Sequence, residues 1–232
     1  MSRDQDKPVV AIDGPAGAGK STVAKLLADE LGYLLVDTGA IYRVVALAAQ
    51  GEGVPWSDAA AMGAVAERLV SSHSIRFERS QGTLHVYLGD KDVTDAIRKP
   101  EIGMAASAVS AHGRVRDALL ELQRDAGRKG GVVLEGRDIG TVVFPDAEVK
   151  VFLTASVETR SRRRFDELKK KGELISFETV LADVQKRDDQ DTNRAHAPLA
   201  KAADANLVDS TAMSLEETVQ AIAALVRART RS

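Results

Sequence analysis

Gly14-Pro15-Ala16-Gly17-Ala18-Gly19-Lys20-Ser21, followed at once by Thr22, constrains the architecture of this chain more than any other stretch. It matches the phosphate-binding loop G-x-x-x-x-G-K-[S/T] at every fixed position. Such a loop cradles phosphate oxygens with bare backbone N–H groups, and glycine is required where a Cβ would block the approach. The flanks fit. Val9-Val10-Ala11-Ile12 is an apolar run of strand type, and Val23, Leu26, Leu27 and Leu31 recur at helical spacing before Gly32, a helix stop. Strand, glycine loop and helix in this order place a nucleoside triphosphate on a helix N-terminus, where backbone N–H groups and the dipole favour an anion. Lys20 would supply a point charge to the β and γ oxygens, and the Ser21 hydroxyl would ligate Mg²⁺.

Further apolar runs at Leu34–Val36, Val132–Leu134, Val149–Leu153 and Leu207–Val208 alternate with helical patterns, which predicts an α/β fold with a five-stranded parallel sheet covered on both faces. Each run is followed by a polar segment: Asp13-Gly14, Asp37-Thr38-Gly39, Glu135-Gly136-Arg137-Asp138 and Asp209-Ser210-Thr211. In such folds ligands collect at the carboxyl ends of the strands, so these segments are expected to converge on one cleft. From about residue 71 to 94 the rhythm changes. Ile75 and Phe77, then Leu84, Val86 and Leu88, alternate with polar residues around Ser80-Gln81-Gly82, the pattern of an antiparallel hairpin inserted into the parallel core. Ser156 and Ser176 read as helix caps, the second opening a helix with Val180, Leu181 and Val184 on its inner face. Ser214-Leu215-Glu216-Glu217 reads as a capping box.

With 232 residues the chain suffices for one substantial core and an inserted subdomain. Its net charge of −2 offers no global basic field for nucleic acid or an anionic membrane. The absence of cysteine excludes disulfides, thiolate zinc sites and cysteine nucleophiles. Residues 1–7 show no signal-peptide core and no run reaches the length of a membrane span, so a cytoplasmic enzyme is expected.

A phosphate acceptor should be met by arginines, whose planar forks bind phosphate bidentately. Asp37-Thr38-Gly39-Ala40-Ile41-Tyr42-Arg43 places a capping carboxylate and hydroxyl at a helix start, with Arg43 one to two turns in. In Val132-Val133-Leu134-Glu135-Gly136-Arg137-Asp138-Ile139-Gly140-Thr141, three charged residues follow a buried strand and demand partners. Glu135 at that strand end is the candidate second oxygen ligand for Mg²⁺. In Arg187-Asp188-Asp189-Gln190-Asp191-Thr192-Asn193-Arg194, the spacing of Arg187, Asp191 and Arg194 gives one shared face while a helix lasts.

In this order these segments resemble the bacterial cytidylate kinase family. The resemblance spans nearly the whole chain: G-P-A-G-A-G-K-S-T at 14–22, D-T-G-A-I-Y-R at 37–43, R-V-R at 114–116, E-G-R-D-I-G-T-V-V-F-P-D at 135–146, R-D-D-Q-D-T-N-R-A at 187–195 and D-S-T at 209–211. It implies a single adenylate-kinase-like domain over 1–232 with a parallel five-stranded sheet flanked by helices. Within it, 38–113 would form a monophosphate-binding subdomain including the hairpin insert, and about 156–176 a short helical lid. The activity implied is transfer of a phosphoryl group from ATP to CMP and dCMP, with Mg²⁺, in a monomer without nucleic-acid or membrane partners.

By the same resemblance Gly14, Pro15, Ala16, Gly17, Ala18, Gly19, Lys20, Ser21 and Thr22 bind ATP, and Arg43 and Arg137 grip the acceptor phosphate. Thr38, Ser107, Arg116, Asp138 and Arg194 would face the pyrimidine, with Tyr42, Arg187 and Asp191 near the sugar. Arg160, Arg163 and Arg164 would belong to a mobile lid over the triphosphate. The catalytic charges would be Lys20, Arg137, Arg163 and Arg164. Thr38 stands where serine is common and Glu135 where aspartate is common, and both keep the functional group. Adenylate, guanylate or shikimate kinases would share the phosphate loop but not the E-G-R-D-I-G-T run. A nucleotide switch or nucleic-acid ATPase would draw on the basic stretch Glu158–Lys171, with seven Lys or Arg against three Asp or Glu. The guanine-reading N-K-x-D is absent, however, and aromatic platforms for single-stranded RNA are scarce.

Overall fold

The structure is a computed structural model and describes residues 7–80 and 83–230. In chain order, β1 (Val9–Asp13) leads through the glycine loop into α1 (Lys20–Leu31) and β2 (Leu34–Asp37). Next come α2 (Thr38–Gly51), α3 (Ala59–Ser71), β3 (Ile75–Ser80), β4 (Thr83–Leu88), β5 (Lys91–Asp92), α4 (Pro100–Val109) and α5 (Gly113–Gly127). Then β6 (Val132–Gly136), a π turn over Ile139–Val143, β7 (Val149–Thr154), α6 (Val157–Lys170), α7 (Phe177–Asn193), β8 (Asn206–Asp209) and α8 (Leu215–Thr230) follow. The chain forms two compact units, one of residues 1–36 and 126–232 and one of residues 37–125. No helix among the described residues is long and apolar enough to cross a membrane.

The first unit is organised by a five-stranded sheet of order β2-β6-β1-β7-β8. Strand β1 pairs in parallel with β6 and β7, and β7 pairs in parallel with β8, so all five expected strands join one sheet. Every residue of β1 and β6 is buried, as strands covered on both faces require. One face packs Val10, Ile12, Val133 and Val151 against Leu27 of α1 and Ile222 and Val226 of α8. The strands run one or two residues beyond their apolar runs. The register pairs Ile12 with Glu135 and Asp13 with Gly136, so polar groups are carried to the very ends of the central strands. The anticipated helix ends are present. Gly32 closes α1 at φ 66°, Ser156 and Ser176 accept N–H bonds at the starts of α6 and α7, and Ser214 and Glu217 form a reciprocal capping box before α8.

The second unit packs α2, α3, α4 and α5 around Ile41, Val45, Met62, Ile102, Val109 and Leu119. The expected hairpin is present as β3 and β4, with Ile75 opposite Leu88 and Phe77 opposite Val86. Its turn residues Gln81 and Gly82 lie outside the described residues. A short third strand, β5, extends this sheet. Its two residues are exposed and carry no apolar alternation, so nothing in their pattern announced it.

Candidate active site

The phosphate loop is fitted to β7 on one side and to α6 on the other. At Gly14 (φ 151°) a Cβ would stand 1.9 Å from the Leu153 carbonyl oxygen, so any other residue would displace the strand. At Gly17 (φ 76°) a Cβ would meet Arg160 Cβ at 3.1 Å, and Gly19 caps α1 in the left-handed conformation. Pro15, Ala16 and Ala18 are buried, while Ser21 and Thr22 lie exposed in the first turn of α1. Lys20 turns back over the loop and donates from Nζ to the Pro15 carbonyl at 2.8 Å.

Burial and the charge of Arg137 bring the Lys20 ammonium down to about 7, against the opposite pull of Glu135, Asp191 and Asp13. The phosphate-loop lysine and the E-G-R-D segment are therefore electrostatic neighbours. Glu135 is buried at the penultimate position of β6. Arg137 donates from Nε to Asp191 Oδ2 at 2.7 Å and from Nη1 to the Gly136 carbonyl at 3.2 Å. Asp138 is buried and lies 3.4 Å from Arg194, which also donates to the Ala197 carbonyl.

Three ion pairs tie the end of α7 to this site: Asp188 with Arg160, Asp191 with Arg137, and Asp138 with Arg194, the cap of α7. The side chains at 188, 191 and 194 recur every three residues along α7 and just past its end. Arg187, expected on the face of Asp191 and Arg194, is half-buried, and its neighbour Asp188 meets the guanidinium of Arg160. Sequence reasoning had passed over Asp188. The signal available was the i, i+3 step to Asp191.

The arginines expected in a lid differ sharply in their settings. Arg160 is only 6% exposed and is fixed by three partners, donating to the Ala16 carbonyl of the phosphate loop and the Ala155 carbonyl at 2.9 Å each, besides its pair with Asp188. Arg163 donates to the hydroxyl and carbonyl of Ser210 in the D-S-T segment. Arg164 pairs with Glu167 one turn on. Arg162 lies over the ring of Phe177 at 4.2 Å, joining α6 to α7.

In the second unit, Asp37 caps α2 by accepting the Ala40 N–H at 3.0 Å and stands 3.9 Å from Arg43. Thr38, Tyr42 and Arg116 are buried, and the Arg116 guanidinium lies 5.4 Å from the Tyr42 ring centroid. Arg116 also donates to the Ser110 carbonyl, and the Ser110 hydroxyl to that of Ser107. The start of α2, the end of α4 and the first turn of α5 thus hold the five expected residues of this unit.

Residues 10–228 match the cytidylate kinase family. A cytidylate kinase of Geobacter sulfurreducens is 54% identical over 225 residues, covering 97% of this chain and 94% of that protein. Those of Citrifermentans bemidjiense and Pelotomaculum thermopropionicum are 50% and 49% identical over 95% and 97% of this chain, and 93% and 98% of theirs. A phosphate loop whose lysine neighbours the arginine of an E-G-R-D-I-G-T segment, in a chain matched almost end to end, belongs to a phosphotransferase of the cytidylate kinase family.

Proposed function

We propose that this protein transfers the γ-phosphoryl group of ATP to CMP and dCMP, giving ADP and CDP or dCDP. The observation that carries the reading is the parallel register of β1 and β6, which pairs Asp13 with Gly136 and so brings Arg137 to the base of the loop that carries Lys20. One charge is positioned for the donor phosphates and the other for the acceptor. An oxygen of the acceptor phosphate attacks the γ phosphorus, and the bond to the β–γ bridging oxygen breaks. The acceptor is its own nucleophile, so the protein acts by alignment and charge neutralisation.

In this reading residues 14–22 hold the triphosphate and Lys20 follows the charge that migrates onto the β oxygens. Arg137 and Arg43 hold the acceptor phosphate. Arg163 and Arg164 close over the transferring group, while Arg160 braces the loop through the Ala16 carbonyl. Mg²⁺ takes one or two protein oxygens and otherwise phosphate and water, and the exposed Ser21 hydroxyl and the Glu135 carboxylate suit that habit. When bound, the ion would neutralise charge on the β and γ oxygens.

Base choice follows from polarity. Cytosine offers an amino donor beside a ring-nitrogen acceptor, and uracil offers the reverse. The Asp138–Arg194 pair presents an acceptor beside a donor, which complements cytosine and opposes uracil. Thr38, Ser107 and Arg116 complete the base contacts, and Tyr42, Arg187 and Asp191 those near the sugar. A coupled assay with ATP, Mg²⁺ and each common ribo- and deoxyribonucleoside monophosphate tests the reading. CMP and dCMP should be the best acceptors, and a different best acceptor would overturn it.

A further inference from the structure

Two buried charged side chains with no role in the reading above bracket the segment that follows Arg137 and Asp138. At one end stands Asp13, the last residue of β1 and the residue before Gly14. Its Oδ1 accepts the N–H of Ile139 and its Oδ2 that of Gly140, both at 2.7 Å. At the other end Lys150 of β7 runs its stem past Gly140, where a Cβ would meet Lys150 Cδ at 3.2 Å and Asp13 Oδ2 at 3.4 Å. Lys150 Nζ donates to the Pro145 carbonyl and to both carboxylate oxygens of Asp204, at 2.7 and 3.0 Å. Asp13 is 4% exposed and Lys150 7%. Burying charged groups so completely is costly unless each is met by hydrogen bonds; here Asp13 is met by the Ile139 and Gly140 amides, and Lys150 by the Pro145 carbonyl together with the Asp204 carboxylate.

We propose that Asp13 and Lys150 are positioning residues for phosphoryl transfer, fixing residues 139–145 so that Arg137 and Asp138 hold their place against the phosphate loop. The inference rests on the roles proposed above for Arg137 and Asp138. Asp13 is bonded covalently to the first glycine of the loop and through two hydrogen bonds to the amides just after Asp138. Any displacement of one segment is thereby passed to the other. Reacting groups displaced by about 1 Å can lose on the order of a hundredfold in rate, so a rigid joint at this point bears on turnover as well as on folding.

A double-mutant cycle separates positioning from general stabilisation. Asp13→Asn keeps the size of the side chain but turns an amide NH₂ toward one of the two N–H groups. It should lower kcat/KM for CMP by about tenfold in the wild-type background and by less than about threefold in the Arg137→Ala background. Equal losses in both backgrounds would overturn the proposal. Lys150→Met keeps the stem beside Gly140 and removes the charge. It should act in the same direction by about threefold, and it carries the same cycle if Asp13→Asn does not fold. Arg137→Ala with unchanged CMP kinetics would defeat the acceptor-phosphate reading instead. The amide NMR spectrum then decides the inference alone: Asp13→Asn should move the Ile139 and Gly140 N–H signals and with them the Arg137 Nε–H signal. An unmoved Arg137 signal would refute the coupling.

Discussion

Residues 14–22 and residues 187–194 belong to the same unit, but the charged side chain of the first is held by a bond made close by in the chain and those of the second by distant ones. Lys20 is held by Pro15, five positions away, and glycines at positive φ shape the loop. Asp191 reaches 54 positions back to Arg137, and Arg194 reaches 56 back to Asp138. In the loop, a side chain can be removed with little change to the conformation that carries it. At the end of α7, each charged group also supports its partner, so chemistry and stability are changed together.

Lys20→Ala offers the sharpest test on the loop side. The loss of a preorganised charge should lower kcat by about a hundredfold or more, roughly 3 kcal/mol. Unfolding in urea should show stability equal to or above wild type, because burial and Arg137 disfavour the Lys20 ammonium. A variant within tenfold of wild-type turnover would remove Lys20 from its assigned role.

Asp13, at the base of the loop, supplies a test in pH. Burial first, and then the Asp138 charge, raise its carboxyl from 3.8 to about 6, against the lowering effect of the Gly140 and Ile139 N–H bonds and the charge of Lys20. A raised carboxyl means that the folded protein binds the proton more tightly than the unfolded chain. The contribution to stability is therefore complete below the ordinary value and disappears as pH rises through about 6. Wild type should lose up to about 3 kcal/mol relative to Asp13→Asn across that window, read from urea midpoints at both ends of it. Parallel pH profiles for the two proteins would contradict this.

Asp138→Ala should narrow the preference for CMP over UMP by about ten- to a hundredfold, or roughly 1.5–3 kcal/mol, while Arg137→Ala weakens both acceptors alike. Asp138 pairs with Arg194 and not with Arg137, so the two variants report on separate contacts. An unchanged preference would shift base recognition to Thr38, Ser107, Arg116 or Arg194. Asp188→Ala leaves the buried Arg160 guanidinium without its carboxylate and should cost about 2 kcal/mol in urea unfolding. A neutral result there would show that the distant pairs are less structural than their burial implies. Arg162→Ala should have the smallest effect, about 0.5–1 kcal/mol for the cation–π contacts of an exposed side chain with Phe177 and Phe165, without change in CMP affinity.

The same division explains what could be read before the structure. Strands β1, β6 and β7, the loop glycines and the caps at Ser156, Ser176 and Ser214 each follow from residues within a few positions of one another. The Ser214–Glu217 box is complete in four residues. The hold of Asp13 on Ile139 and Gly140 and the seat of Lys150 beside Gly140 depend on which strands lie side by side. That order is β6-β1-β7 and reverses nothing in the local pattern, so spacing along the chain carried no sign of it. Arg160 shows the cost most plainly: the resemblance put it in a mobile lid over the triphosphate, whereas its guanidinium is buried against the Ala16 carbonyl.

The missing side chain at Gly14 also limits how this phosphate loop can be inherited or transplanted. The loop fits its host because Gly14 leaves open the space that the Leu153 carbonyl occupies. A designer who copied residues 14–22 alone into another sheet would carry over the sequence but leave behind half of the fit. The transferable part is the loop together with the end of β7, two stretches far apart in the chain that must be moved, or must evolve, as one.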